Sequence, residues 1–156
     1  MTRIRFQQSL DDLKENLLVM AGLAEQSIQR AIEAYRVRDL SICDLVSRSE
    51  LAINRLERDI DQAALDLLAM EQPMAVDLRF ILSVIKINAD LERVGDAAKS
   101  ISDRVRNIEQ MAVADLPVDI PRMATLAAEM VRNGPDTRQD GHSAAFSFER
   151  CYTCRC

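Results

Sequence analysis

Apolar residues recur along this chain at alternating steps of four and three, the signature of a helix that buries one face. Phe6, Leu10, Leu13, Leu17, Met20, Ala24, Ser27, Ala31 and Tyr35 form one such series. Ile42, Leu45, Ser49, Ala52, Leu56, Ile60, Ala63, Leu67 and Met70 form a second, with Ile53 widening its stripe. A third runs through Phe80, Val84, Ile87, Leu91, Val94, Ala98, Ile101, Val105 and Ile108. The first series breaks at Val37-Arg38, where Asp39 is placed to cap the next helix. Pro73 fits the first turn of the third, where its missing N–H is harmless. Each helix is then about 30–38 residues, or about 45–57 Å, long. Short connections require neighbouring helices to run antiparallel. The pattern predicts an all-α fold, an antiparallel up-down-up bundle of three long helices over residues 1–110.

Beyond that bundle the pattern changes twice. Pro117 and Pro121 mark a linker, and Ile120, Met123, Ala127 and Met130 then resume helical spacing. Residues 111–132 therefore read as a linker and the start of an incomplete second repeat. The apolar stripe of this fourth helix has nothing in the sequence to cover it, and is expected to fray, to dock on another chain or to promote aggregation. Residues 133–156 have no periodicity and gather the chain's one histidine, His142, with three of its four cysteines. They are expected to be disordered. So abrupt a change suggests a lost reading frame or a foreign tail, with a natural disordered terminus as the alternative.

Composition narrows the functional classes. The chain has 48% hydrophobic residues, 4% aromatics and no Trp, so its core is aliphatic. A formal charge of -5 and the lack of a basic stripe argue against nucleic-acid binding. There is no apolar run of ~18 residues to span a membrane and no charged-then-apolar leader segment. Cys43 is the single cysteine in the first 132 residues, which fits a reducing cytoplasm. The helical body has no histidine, no phosphate loop and no nucleophile elbow, so catalysis is not expected. Cys151, Cys154 and Cys156 resemble a metal or redox motif, but a zinc site needs a fourth ligand and an ordered frame.

The most informative stretch is Leu91-Glu92-Arg93-Val94-Gly95-Asp96, deep inside the third helix. Gly95 should cost about 1 kcal/mol against alanine there. Glu92 and Asp96 are four apart and repel by about 0.2–0.5 kcal/mol. Glu57 and Asp61 form a matching pair in the second helix. Glu92 and Asp96 fall about 100–140° from the apolar stripe, whereas Glu57 and Asp61 lie at the edge of theirs. Facing each other across an antiparallel helix pair, Glu57, Asp61, Glu92 and Asp96 would offer oxygen ligands to a divalent or iron-type cation. The alternative is a solvated face, with Arg55, Arg58, Arg93 and Lys99 as salt-bridge partners.

Three runs together resemble the PhoU family, the accessory regulators of bacterial phosphate-specific transport. They are Ile53-Asn54-Arg55-Leu56-Glu57-Arg58-Asp59-Ile60-Asp61, then Gln72-Pro73-Met74-Ala75-Val76-Asp77-Leu78-Arg79, then Ala89-Asp90-Leu91-Glu92-Arg93-Val94-Gly95-Asp96. The resemblance covers about residues 1–132. It implies two tandem three-helix bundles, each with Glu/Asp-x-x-x-Asp metal motifs on its surface, and assigns Glu57, Asp61, Glu92 and Asp96 to the first. Ser100 stands where the family often has asparagine.

The resemblance also implies a non-enzymatic, homo-oligomeric cytoplasmic adaptor. It would act between a phosphate ABC transporter, through its ATPase subunit, and a sensor histidine kinase, and reach the membrane only through those partners. Plentiful phosphate would make it hold the kinase in its non-activating state, a function that truncation after about residue 132 is expected to impair. A metal-storage bundle and a plain helical scaffold without bound metal are the alternatives.

Overall fold

Helix boundaries follow from local chemistry at the first connection. Arg38 takes a left-handed backbone conformation, φ 54°, which ends the first helix and turns the chain. The Asp39 carboxylate then accepts the Ser41 backbone N–H at 2.8 Å, capping the second helix as its position in the sequence predicts. The Arg38 guanidinium donates to the Ile108 carbonyl at 3.1 Å, satisfying an acceptor at the far end of the third helix. The computed structural model describes residues 2–71, 73–108 and 119–133. Across them run α1 (Thr2–Val37), α2 (Leu40–Glu71), α3 (Ala75–Ile108) and α4 (Ile120–Asn133). Pro73 precedes α3 rather than entering its first turn. The Met74 carbonyl accepts the Leu78 N–H at 2.9 Å and so opens that helix.

Cross-helix contacts fix the directions. Arg30 of α1 donates to Ser49 of α2 at 3.2 Å, while Ala34 packs with Cys43, so α1 and α2 are antiparallel. Asn88 of α3 reaches Asp61 of α2 and Ser102 reaches the Cys43 carbonyl, which makes that pair antiparallel as well. The three helices pack mutually, and the predicted up-down-up bundle is what forms. An ion pair from Arg106 to Asp44 at 2.6 Å links α2 and α3 near the connected end of α1 and α2. No described helix is long and apolar enough to cross a membrane.

The inward face of α1 is the expected one: Leu10, Leu13, Leu17, Met20, Ala24, Ser27 and Ala31 are buried. In α2 and α3 the buried stripe is rotated by about one residue. Cys43, Val46, Ser49, Ile53, Ile60, Ala64 and Leu67 are buried in α2, whereas Leu45 and Ala52 are exposed. In α3 the stripe is Ile81, Val84, Asn88, Leu91, Gly95, Ala98, Ser102 and Val105. Phe80, Ile87, Val94 and Ile101 flank it, half-buried.

α4 also differs from expectation. It packs against α1 of its own chain, burying Ala128 and Val131, and Arg132 bonds Glu25 at 2.8 Å. Asp119 caps it by accepting the Arg122 N–H at 3.0 Å. The expected stripe of Met123 and Met130 is exposed among the described residues, and it is a different face of α4 that packs on α1. The predicted boundary near residue 110 lies outside the described residues, as do His142, Cys151, Cys154 and Cys156.

Candidate functional site

Gly95 brings α2 and α3 together. A Cβ built there would lie 3.0 Å from Ile53 Cδ1 and 3.3 Å from Cγ2, so the bare glycine backbone gives the buried Ile53 side chain its room. That close approach is the physical reason for a residue that weakens the isolated helix. Two turns toward the start of α3, Asn88 is fully buried. Its Nδ2 donates to the Glu57 carbonyl at 2.9 Å and to Asp61 Oδ1 at 2.8 Å. Asn88 thereby locks the Glu57–Asp61 turn of α2 to α3. Among the described residues its buried Oδ1 meets no hydrogen-bond donor, an unusual state for an amide.

The four sequence-predicted carboxylates all lie along this α2–α3 seam, but not equivalently. Glu57, Asp61 and Glu92 are half-buried and Asp96 is exposed. The pKa of Glu92 is pushed above the ordinary glutamate value, first by burial. The charge of Asp96, a hydrogen bond with that carboxyl and the charge of Glu57 add to the rise, and Arg93 opposes it. Glu57, Glu92 and Asp96 thus share one negative field, while Asp61 is drawn into the seam by Asn88. Among the described residues none of the four enters an ion pair. Arg93 turns instead to Asp90 at 3.5 Å, and Lys99 to Asp103 at 2.6 Å. The salt-bridged alternative therefore does not describe this face.

Among the described residues no three His, Cys, Asp or Glu side chains are already gathered as a ligand set. Carboxylates without a described ion-pair partner are nevertheless the donor type that a hard or intermediate cation takes. Sequence reasoning missed Asn88. A signal was present in the seven-residue repeat of Asn88, Gly95 and Ser102, small or polar residues in register with Ile81, Leu91, Ala98 and Val105.

Elsewhere a shallow groove of ≈ 460 Å³ lies between α1 and α2, lined by Gln26, Gln29, Arg30, Glu33, Ile42 and Leu45. The described residues are of a definite class, a bundle of long helices with an acidic seam between two of them. Within that class the chain belongs to the PhoU family: the PhoU domain model matches residues 17–105.

A phosphate-specific transport system accessory protein PhoU homolog of Aquifex aeolicus is 32% identical over 126 residues, 81% of this chain and 57% of that protein. The homolog of Rhizobium meliloti is 39% identical over 100 residues, 64% of this chain and 42% of that protein. The crystal structure of PhoU from Pseudomonas aeruginosa superposes with a TM-score of 0.81 at 32% identity, covering 84% of this chain and 63% of that one. The phosphate transport system regulatory protein PhoU of Streptococcus pneumoniae gives 0.75 at 26%, covering 83% and 61%. The chain thus spans about half of the length of the relatives it matches.

Proposed function

We propose that this chain acts in regulating phosphate uptake, as a non-catalytic cytoplasmic adaptor whose α2–α3 seam is a cation-dependent docking face. One observation carries the reading: Glu57, Asp61, Glu92 and Asp96 line one seam and none is neutralised by a described ion pair. Like charges four apart on a helix oppose folding, and a bound cation would offset that opposition. Glu57, Glu92 and Asp96 would hold it once their side chains turn toward a common point, since as described no three of them are gathered around one, with Asp61 held at the margin by Asn88 and water completing the shell. Bound there, a divalent or iron-type ion would supply positive charge for a partner's acidic or carbonyl groups. The relatives' names place them with phosphate-specific transport. The partners proposed here are accordingly the ATPase subunit of a phosphate ABC transporter and the cytoplasmic part of a sensor histidine kinase. Phosphate sufficiency would favour the complex that keeps the kinase non-activating.

The test is retention of purified ATPase subunit and kinase domain by the immobilised, folded chain, with and without manganese. The proposal expects metal-dependent retention that Glu92→Gln/Asp96→Asn abolishes. Retention of neither partner by a chain that still binds manganese would remove the adaptor role and leave the metal-binding bundle.

A further inference from the structure

α3 turns a row of bases to the outside of the bundle. At ~100° per residue, Arg79, Lys86, Arg93 and Arg104 fall within an arc of about 40°, nearly opposite the buried stripe of Ile81, Asn88, Gly95 and Ser102. All four are exposed, and the row is ~37 Å long. Arg93 pairs with Asp90 at 3.5 Å. Arg79, Lys86 and Arg104 form no ion pair with another described residue, and the Arg79 guanidinium donates to the Ala75 carbonyl of its own helix at 3.2 Å. Glu92, Asp96 and Asp103 lie about 80–120° round the helix from the row, on the seam side. Spacings of seven and eleven residues leave no basic run in the sequence, so the row exists only on the folded helix.

The spacing and the flanks of the row select its partner. Val76 and Leu82 stand on either side of Arg79 and are 71% and 45% exposed. Bases beside exposed aliphatic side chains on one helix face suit the boundary between lipid headgroups and acyl chains. A nucleic-acid duplex carries a charge every ~1.7 Å of its axis, against one base per about 12 Å here, and offers nothing to Val76 and Leu82. The fixed acids of a protein would have to repeat the row's uneven spacing, whereas a fluid bilayer brings an anionic headgroup to each base. The chain as a whole has a formal charge of -5 and is repelled by such a surface, so attachment requires bases gathered on one face. We propose that the Arg79–Lys86–Arg93–Arg104 face of α3 rests on an anionic lipid surface, with the helix lying along the membrane plane.

The test is co-sedimentation of the full chain with vesicles of phosphatidylcholine, alone or with about a third of phosphatidylglycerol. EDTA is present throughout, so that no cation at the α2–α3 seam bridges protein to lipid and a failure of the metal reading leaves this result untouched. The chain should bind the anionic vesicles and not the neutral ones, and should be released as salt shortens the screening length. Lys86→Gln/Arg104→Gln removes two cations of the row and should weaken binding about thirty-fold, at about 1 kcal/mol for each. Arg48→Gln/Arg55→Gln makes the same change of net charge at exposed positions of α2 and should weaken it less than about three-fold. No binding to anionic vesicles overturns the proposal, and so does an equal loss in the two variants, since net charge and not this face would then decide. Retention of the native chain by immobilised polyglutamate, lost in Lys86→Gln/Arg104→Gln, with no binding to vesicles, would assign the row to an acidic protein instead.

Discussion

Asn88 and Gly95 show how single residues hold the seam in register. Asn88→Ala leaves the Glu57 carbonyl and one Asp61 oxygen without their partner, and should cost about 1–3 kcal/mol, read as a lower urea midpoint at an unchanged slope. Gly95→Leu forces a side chain into the space of Ile53 and should cost about 1–3 kcal/mol despite leucine's better helix propensity. Ile53→Ala in the same chain should recover part of that loss; strict additivity of the two substitutions would show that they do not meet. Glu92 behaves in the opposite sense. Its pKa is raised in the folded chain, so folding favours its protonated form. That stabilising share is present below the ordinary value of 4.5 and is lost as pH climbs through the raised value. Glu92→Gln should therefore melt with the parent in acid and above it at neutral pH. The gain should be about 0.2–0.5 kcal/mol, or ~1–2 °C. Equal melting temperatures at neutral pH would mean that Glu92 is not under charge strain.

At the scale of elements, the long helices, the turn between α1 and α2 and α1's inward face were legible in the sequence, whereas the start of α3 was placed too early at Pro73. In α2 and α3 apolar residues fill two adjacent stripes, as in Leu45 beside Val46, Ala52 beside Ile53 and Phe80 beside Ile81. Periodicity alone cannot choose between them. The choice falls to close packing at Gly95 and the amide bond of Asn88, and neither counts as apolar. The same ambiguity hid the packing of α4, whose small Ala124 and Ala128 approach α1 while the larger methionines face out. The candidate carboxylates were legible as pairs, but not the withdrawal of Asp61 into the seam, which depends on a side chain from the other helix. Capping follows simpler local rules. Asp39→Ala removes the acceptor for the Ser41 N–H and should cost about 0.5–2 kcal/mol, seen in thermal melts of the two proteins side by side.

For the whole molecule, the three-helix bundle is a frame that presents a charged seam and, among the described residues, carries a fourth helix on α1. The seam holds four carboxylates that no described ion pair neutralises, and this is the ground for proposing it as a cation-dependent docking face rather than a merely solvated one. A structural face gains nothing by keeping like charges together without counter-ions, whereas a cation site does, because the ion repays the strain on binding. The relatives' names speak of phosphate-specific transport. The most direct test is calorimetric titration of the native chain and of Glu92→Gln/Asp96→Asn with manganese and zinc, with melting temperatures recorded alongside. Saturable binding should raise the native chain's melting temperature and be weakened at least ten-fold in the variant, which should be the more stable of the two without metal. Equal heats from the two proteins, or none from either, would contradict it.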